Sequence, residues 1–199
     1  LHAARPLYTA TWTLMPGRRG SAVDMMAQLF MQVVARVRED IPNLQVLVPA
    51  ANAARYRQLT ALLGSFNLAE VKLLEQQSKL AMEASDVVLL TSGTTALEAM
   101  LLKKPMVVSY RLGALTYKIV APMIVTPFIS IPNLLAKRML VPELIQDDAT
   151  VDGLSDAVMA AFSPLQNHQL IAEFTAFHQT LKLPSGELAA AAIDELLRQ

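Results

Sequence analysis

Across residues 8–110, short runs rich in Val, Leu and Ile alternate with longer segments of helical period. No other feature constrains the fold as strongly, because strand–helix–strand repetition lays the strands parallel in one sheet and packs the helices on its faces. Strands are expected over residues 8–15, 44–48, 71–74, 86–90 and 105–110. Helices are expected from the turn at 16–20 to about Asp40, from Asn52 to Leu63, over 79–84 and over 94–102. Ser21 reads as the N-cap of the first helix, with Asp24 reaching back in a capping box, and Asn52 as the cap of the second. Beyond residue 112 helical patterns dominate. Pro184 and Ser185 open a final helix to Leu197, on which Leu188, Ile193, Leu196 and Leu197 make an apolar stripe. The fold class is therefore α/β: a Rossmann-like parallel sheet flanked by helices, with a helical C-terminal tail.

At 199 residues the chain suits one domain with a real core. Lys plus Arg and Asp plus Glu number 17 each, so no net field gathers nucleic acid, and such a partner is not expected. With 0 Cys there are no disulfides or thiolate metal sites, which fits a reducing compartment. Hydrophobic residues reach 53% and mean hydropathy +0.36, so a membrane span has to be tested. The longest apolar stretch, 112–131, contains Lys118 and is broken by Pro122 and Pro127, which rules it out as a clean span. The chain opens at Leu1 without the ordered regions of an export signal and is read as a piece of a longer protein.

The chemistry concentrates where the fourth strand ends, in Thr91, Ser92, Gly93, Thr94, Thr95, Ala96, Leu97 and Glu98. A glycine after a buried strand lets the backbone approach a ligand closely, and the N–H groups and hydroxyls that open the next helix suit phosphate oxygens. Glu98, one turn on, is placed to accept hydrogen bonds from ribose hydroxyls. The plainer alternative is a strand-to-helix turn with Thr94 as N-cap and Glu98 a solvated charge. A second candidate is the loop Pro16, Gly17, Arg18, Arg19 and Gly20, from which Arg19 can reach a diphosphate; the alternative is an exposed turn with solvated arginines. A third is Tyr110 and Arg111 at the end of the fifth strand, together with Asn133, which either caps a helix or binds a ligand. Residues 112–128, with Lys118, Lys137 and Arg138 nearby, form either an acyl-facing or membrane-surface patch or an ordinary core helix.

Other chemistries fit poorly. His2, His168 and His178 are not spaced as ligands of one metal. Asp147 and Asp148 precede a helix start, where acidic residues complement the dipole. Ser92 lacks the flanks of a nucleophile elbow, and the loop at 16–20 is not a Walker motif.

The run SGTTALEAMLLKKPMVVSYR (92–111), preceded by LMPGRRG (14–20) and followed by ISIPNLLAKRMLVPELIQ (129–146), resembles the lipid-A-disaccharide synthase family, with residues 1–11 outside the likeness. The glycine-then-glutamate element is also similar to the peptidoglycan N-acetylglucosaminyltransferase and to UDP-N-acetylglucosamine 2-epimerase. The resemblance implies the C-terminal half of an inverting GT-B transferase: residues 14–163 as the nucleotide-sugar domain, 164–199 as helices packing on an N-terminal half, and 1–13 as a poorly matched remnant. It implies transfer of diacylglucosamine from UDP-2,3-diacylglucosamine to 2,3-diacylglucosamine 1-phosphate, without metal or cofactor, in the cytoplasm at the inner-membrane surface. Gly17, Arg19 and Ser92 to Ala96 would hold the diphosphate, Glu98 the ribose, and Asn133 would line the cleft near the sugar, with Tyr110 and Arg111 alongside. The family usually has serine at the position of Arg18. The general base and most of the lipid acceptor surface would lie in the N-terminal half, so this chain alone is expected to bind without turnover, and an uncovered apolar face could drive homodimerisation. The competing readings are an isolated UDP-binding module and an epimerase-like enzyme; the latter needs more carboxylates around the sugar than Glu98.

Overall fold

The computed structural model describes residues 10–66, 71–91, 93–113, 116–118 and 126–198. Among the described residues, six strands form one fully parallel sheet in the order β3-β2-β1-β4-β5-β6. They are β1 (Thr11–Met15), β2 (Gln45–Ala50), β3 (Val71–Glu75), β4 (Val87–Leu90), β5 (Met106–Tyr110) and β6 (Glu143–Ile145). Among the described residues, the helices bounded at both ends are α1 (Gly20–Asp40), α2 (Ala53–Leu63), α3 (Ser78–Glu83), α4 (Thr94–Leu101), α5 (Ile131–Ala136), α6 (Val151–Ala161), α7 (Pro164–Leu181) and α8 (Ser185–Leu197). This strand order is that of the doubly wound nucleotide-binding folds.

The central strands show why both faces need helices. All four residues of β4 are buried: Val87 and Leu89 join the core beneath α1 and α6, while Val88 and Leu90 join the core beneath α4 and α7. Each such side chain contributes roughly 1.5–3 kcal/mol when withdrawn from water, which is why parallel strands read as apolar runs instead of alternating ones. Trp12 and Leu14 enter the first core, with no exposure. Thr13, between them, is the polar exception, and its Oγ1 donates to the Ala81 carbonyl at 2.9 Å and pairs with the Ser85 hydroxyl.

Several expectations need correction. Residues 11–13, at the end of the segment set aside as a remnant, open β1, a central strand paired on both sides. Ser21 does not cap α1. The helix starts at Gly20 after Arg19, which makes no side-chain cap, and Asp24 is instead engaged by the Gln58 side-chain amide. The sixth strand, β6, carries no strand pattern in the sequence, because it is three residues long, lies at an edge and begins with a glutamate. α7 docks on this domain: Phe174 is fully buried in the core beside α4. Ser92, residues 114–115 and 119–125 of the apolar stretch, and the start of the expected first strand lie outside the described residues.

Asn52 caps α2 as its type suggests, Oδ1 accepting from the Arg55 N–H at 2.9 Å. Asn52→Ala strands that donor, so chemical denaturation should register a loss of about 1 kcal/mol. An unchanged midpoint would show the cap to be idle.

Candidate functional site

Strand order reverses between β1 and β4, so the loops leaving their carboxyl ends run in opposite directions and open a crevice. The structure has a crevice of about 340 Å³ there, within the size range of small-ligand sites. Met15, Gly17 and Arg18 form its wall after β1, and Pro49, Ala50 and Ala51 after β2. Gln76 and Ser78 close the β3 side, and Thr95 and Glu98 project from α4. Arg18 is the one cation and Glu98 the one anion among these lining residues.

Two glycines shape the crevice. Gly93, directly before α4, has φ 144° and ψ −161°, a region essentially closed to residues with a Cβ. It leaves the first N–H groups of α4 without a side-chain cap, and those groups carry the positive end of the helix dipole. Gly17, at φ 114°, turns the chain out of β1; a Cβ there would sit 3.3 Å from Ala22 Cβ and 3.4 Å from Thr91 Oγ1. Thr91 is itself anchored, its N–H donating to the Met15 carbonyl at 3.0 Å across the β1/β4 boundary.

Gly17, Thr95 and Glu98 meet at this crevice. Thr94 is exposed beside it, whereas Ala96 is fully buried and its N–H donates to the Gly93 carbonyl at 3.2 Å. Glu98 is exposed, and its carboxylate has no hydrogen-bond partner among the described residues. Arg19 stands at the N-cap of α1 and does not line the crevice, while Arg18 does. Tyr110, at the end of β5, is not among the lining residues either. Arg111 donates from Nη2 to the Ala149 carbonyl at 2.6 Å and from Nε to the Gln146 carbonyl at 3.3 Å, tying the end of β5 to the segment after β6.

Asn133 is not among the residues that line the crevice. Its side chain has no exposure and hydrogen-bonds only within the protein. Nδ2 donates to the Val141 carbonyl (2.9 Å) and Glu143 Oε1 (2.7 Å), while Oδ1 accepts from the N–H groups of Leu140 (2.7 Å) and Val141 (2.8 Å). An amide has two donors and two lone pairs, so none is left for a ligand. Glu143 also accepts from the N–H groups of Ile129 and Ser130 at 2.9 Å, holding the entry to α5.

Sequence reasoning missed Pro49, Ala50, Ala51, Gln76 and Ser78 on the crevice wall. The signal that finds them is positional: they follow β2 and β3, whose carboxyl ends share one rim with β1. A cavity at the amino ends of β4 and β5, also about 340 Å³, has Lys103, Lys104 and His168 on its wall. Both lysine ammoniums there already bind backbone carbonyls, Lys103 that of Leu101 at 2.8 Å and Lys104 those of Glu83 and Ser85 at 2.8 Å. Burial holds the Lys103 ammonium below its ordinary pKa.

Residues 6–193 match the family described as lipid-A-disaccharide synthetase, a match that starts upstream of the boundary at 13 suggested by sequence motifs. The chain is 47% identical over 186 residues to the lipid-A-disaccharide synthase of Cellvibrio japonicus (strain Ueda107), covering 93% of this chain and 48% of that protein. It thus spans about half the length of the curated relatives it matches. Among solved structures, WaaG, a glycosyltransferase involved in lipopolysaccharide biosynthesis, is similar with TM-score 0.60 at 15% identity, over 93% of this chain and 47% of that one. The C-terminal CMP-Kdo binding domain of WaaA from Acinetobacter baumannii gives 0.57 at 15% identity, over 87% of this chain and 90% of that one. At these identities the likeness speaks to fold alone, and the fold is a Rossmann-like domain of the GT-B type.

Proposed function

The chain belongs to the lipid-A-disaccharide synthetase family, and on that premise we propose that it is the donor-binding half of a lipid A glycosyltransferase, its crevice taking the UDP of a UDP-sugar. The observation that carries the reading is the convergence of the uncapped start of α4 and the unpartnered Glu98 carboxylate on one crevice where the strand order reverses. The N–H groups of α4 and the Thr94 and Thr95 hydroxyls receive the diphosphate, and Glu98 accepts from the ribose hydroxyls.

The reaction assigned is transfer of diacylglucosamine from UDP-2,3-diacylglucosamine to 2,3-diacylglucosamine 1-phosphate. The acceptor hydroxyl oxygen bonds to the donor C1 as the C1–O bond to UDP breaks, giving a β-1,6-linked disaccharide 1-phosphate and UDP. Charge that builds on departing UDP needs preorganised donors, and a helix N-terminus with a nearby cation provides them without a divalent ion. No residue of this chain is assigned as the base that takes the hydroxyl proton; the remaining half of the enzyme supplies it, so the chain alone binds donor without turning it over. Its lipid substrates put the complete enzyme at the cytoplasmic face of the inner membrane. No described helix is long and apolar enough to cross a membrane, which is compatible with peripheral attachment.

Calorimetric titration of UDP into the purified chain tests the reading. Saturable binding is expected with or without EDTA, and Glu98→Ala should weaken it about tenfold or more, the loss of hydrogen bonds to a charged acceptor. A folded sample that takes up no UDP would refute the assignment.

A further inference from the structure

We propose that Arg18, the residue before the α1 N-cap, is the diphosphate clamp of this crevice in place of its neighbour Arg19; the inference rests on the UDP-site reading above. Four observations on this chain support it. Arg18 is the one cation among the residues that line the crevice, and Arg19 is not on that wall. Neither a hydrogen bond nor an ion pair engages the Arg18 guanidinium among the described residues, unlike Arg36, Arg111 and Arg138; Arg19 is equally unengaged, so what separates the two is their position at the crevice. The side chain follows directly on Gly17, whose φ of 114° turns the backbone from β1 toward the crevice. Thr95, in the first turn of α4, faces the same space, so the helix N-terminus and the guanidinium can bear on one anion from two sides.

The physical consequence is a division of labour along the crevice. Glu98 is an acceptor and repels phosphate, so the anionic part of the ligand is drawn toward Arg18 and the α4 start, and the uncharged nucleoside toward Glu98. A guanidinium presents paired N–H donors that match two phosphate oxygens at once, which an ammonium cannot reproduce. Arg18 lies at an exposed rim, so its attraction is screened by salt and its contribution falls as ionic strength rises.

The test is a comparison of UDP and uridine binding by the wild-type chain, Arg18→Gln, Arg18→Lys and Arg19→Gln, at low and raised salt. For UDP, Arg18→Gln should lose about tenfold in affinity and most of the salt dependence, Arg18→Lys should recover part of it, and Arg19→Gln should stay within about twofold. Uridine affinity should be the same in all four, which a merely structural role for Arg18 would not give. Equal UDP affinity in wild type and Arg18→Gln, or a larger loss in Arg19→Gln, overturns the clamp while leaving the UDP site standing. Failure of the folded wild-type chain to bind UDP overturns both.

Discussion

Asn133→Leu should cost the domain about 3–5 kcal/mol of stability while leaving the UDP affinity of the folded molecules within about twofold. The side chain sits in a shell of four hydrogen bonds, to the Val141 carbonyl, the N–H groups of Leu140 and Val141, and Glu143. Leucine keeps the branched outline of asparagine but is bulkier, so overpacking of this fully buried site is part of the cost. What remains is the stranding of buried backbone groups, each worth about 1–3 kcal/mol once neither water nor protein satisfies it, and of a Glu143 carboxylate oxygen that has lost a donor. Against a total stability of about 5–15 kcal/mol for an ordinary domain, the denaturation midpoint should fall steeply. A side chain that instead contacted the donor sugar would give the opposite signature, normal unfolding with weakened binding of the UDP-sugar, and that pattern would overturn the structural role.

Asn133 also marks where sequence reasoning stops. A polar residue between Pro132 and Leu134 signals that something needs its amide, but the partner is ten positions on, at Glu143, and no local pattern says whether that partner is protein or ligand. β4 and β5 are legible because burial on both faces writes a near-continuous apolar run, whereas β3, at the edge with Lys72 and Glu75 exposed, is legible chiefly through its place between two helical segments. β6 is not, because a three-residue edge strand carries too little pattern. At the site, the glycine before a helix and the glutamate one turn inside it lie at the carboxyl rim of the sheet, where Glu98 lines the crevice. The choice between Arg18 and Arg19 was not legible, since adjacent residues in a turn diverge by a backbone geometry that Gly17 sets. The wall formed by Ala50, Ala51 and Gln76 has unremarkable side chains, and its position follows from topology alone.

The C-terminal helices divide in the same way, and Phe174→Ala is the substitution that separates them. Truncating a fully buried phenylalanine beside Met82, Leu90 and Met100 should lose about 3–5 kcal/mol through lost transfer free energy and the cavity left behind. Because α7 braces α4, and α4 carries Thr95 and Glu98, the damage should reach the crevice: amide exchange in α4 should accelerate and UDP affinity should fall along with stability. α8 differs, since Ile193, Leu196 and Leu197 are 58%, 70% and 81% exposed. Removing residues 184–199 should therefore leave the melting temperature and UDP affinity close to those of the whole chain, whereas removal from residue 164 should abolish cooperative unfolding. If Phe174→Ala melts like the wild type, α7 is an appendage and not part of this domain's core. If loss of 184–199 proves as damaging as the phenylalanine substitution, the apolar stripe of α8 is covered in solution, and the line between the domain and its tail moves past Leu183.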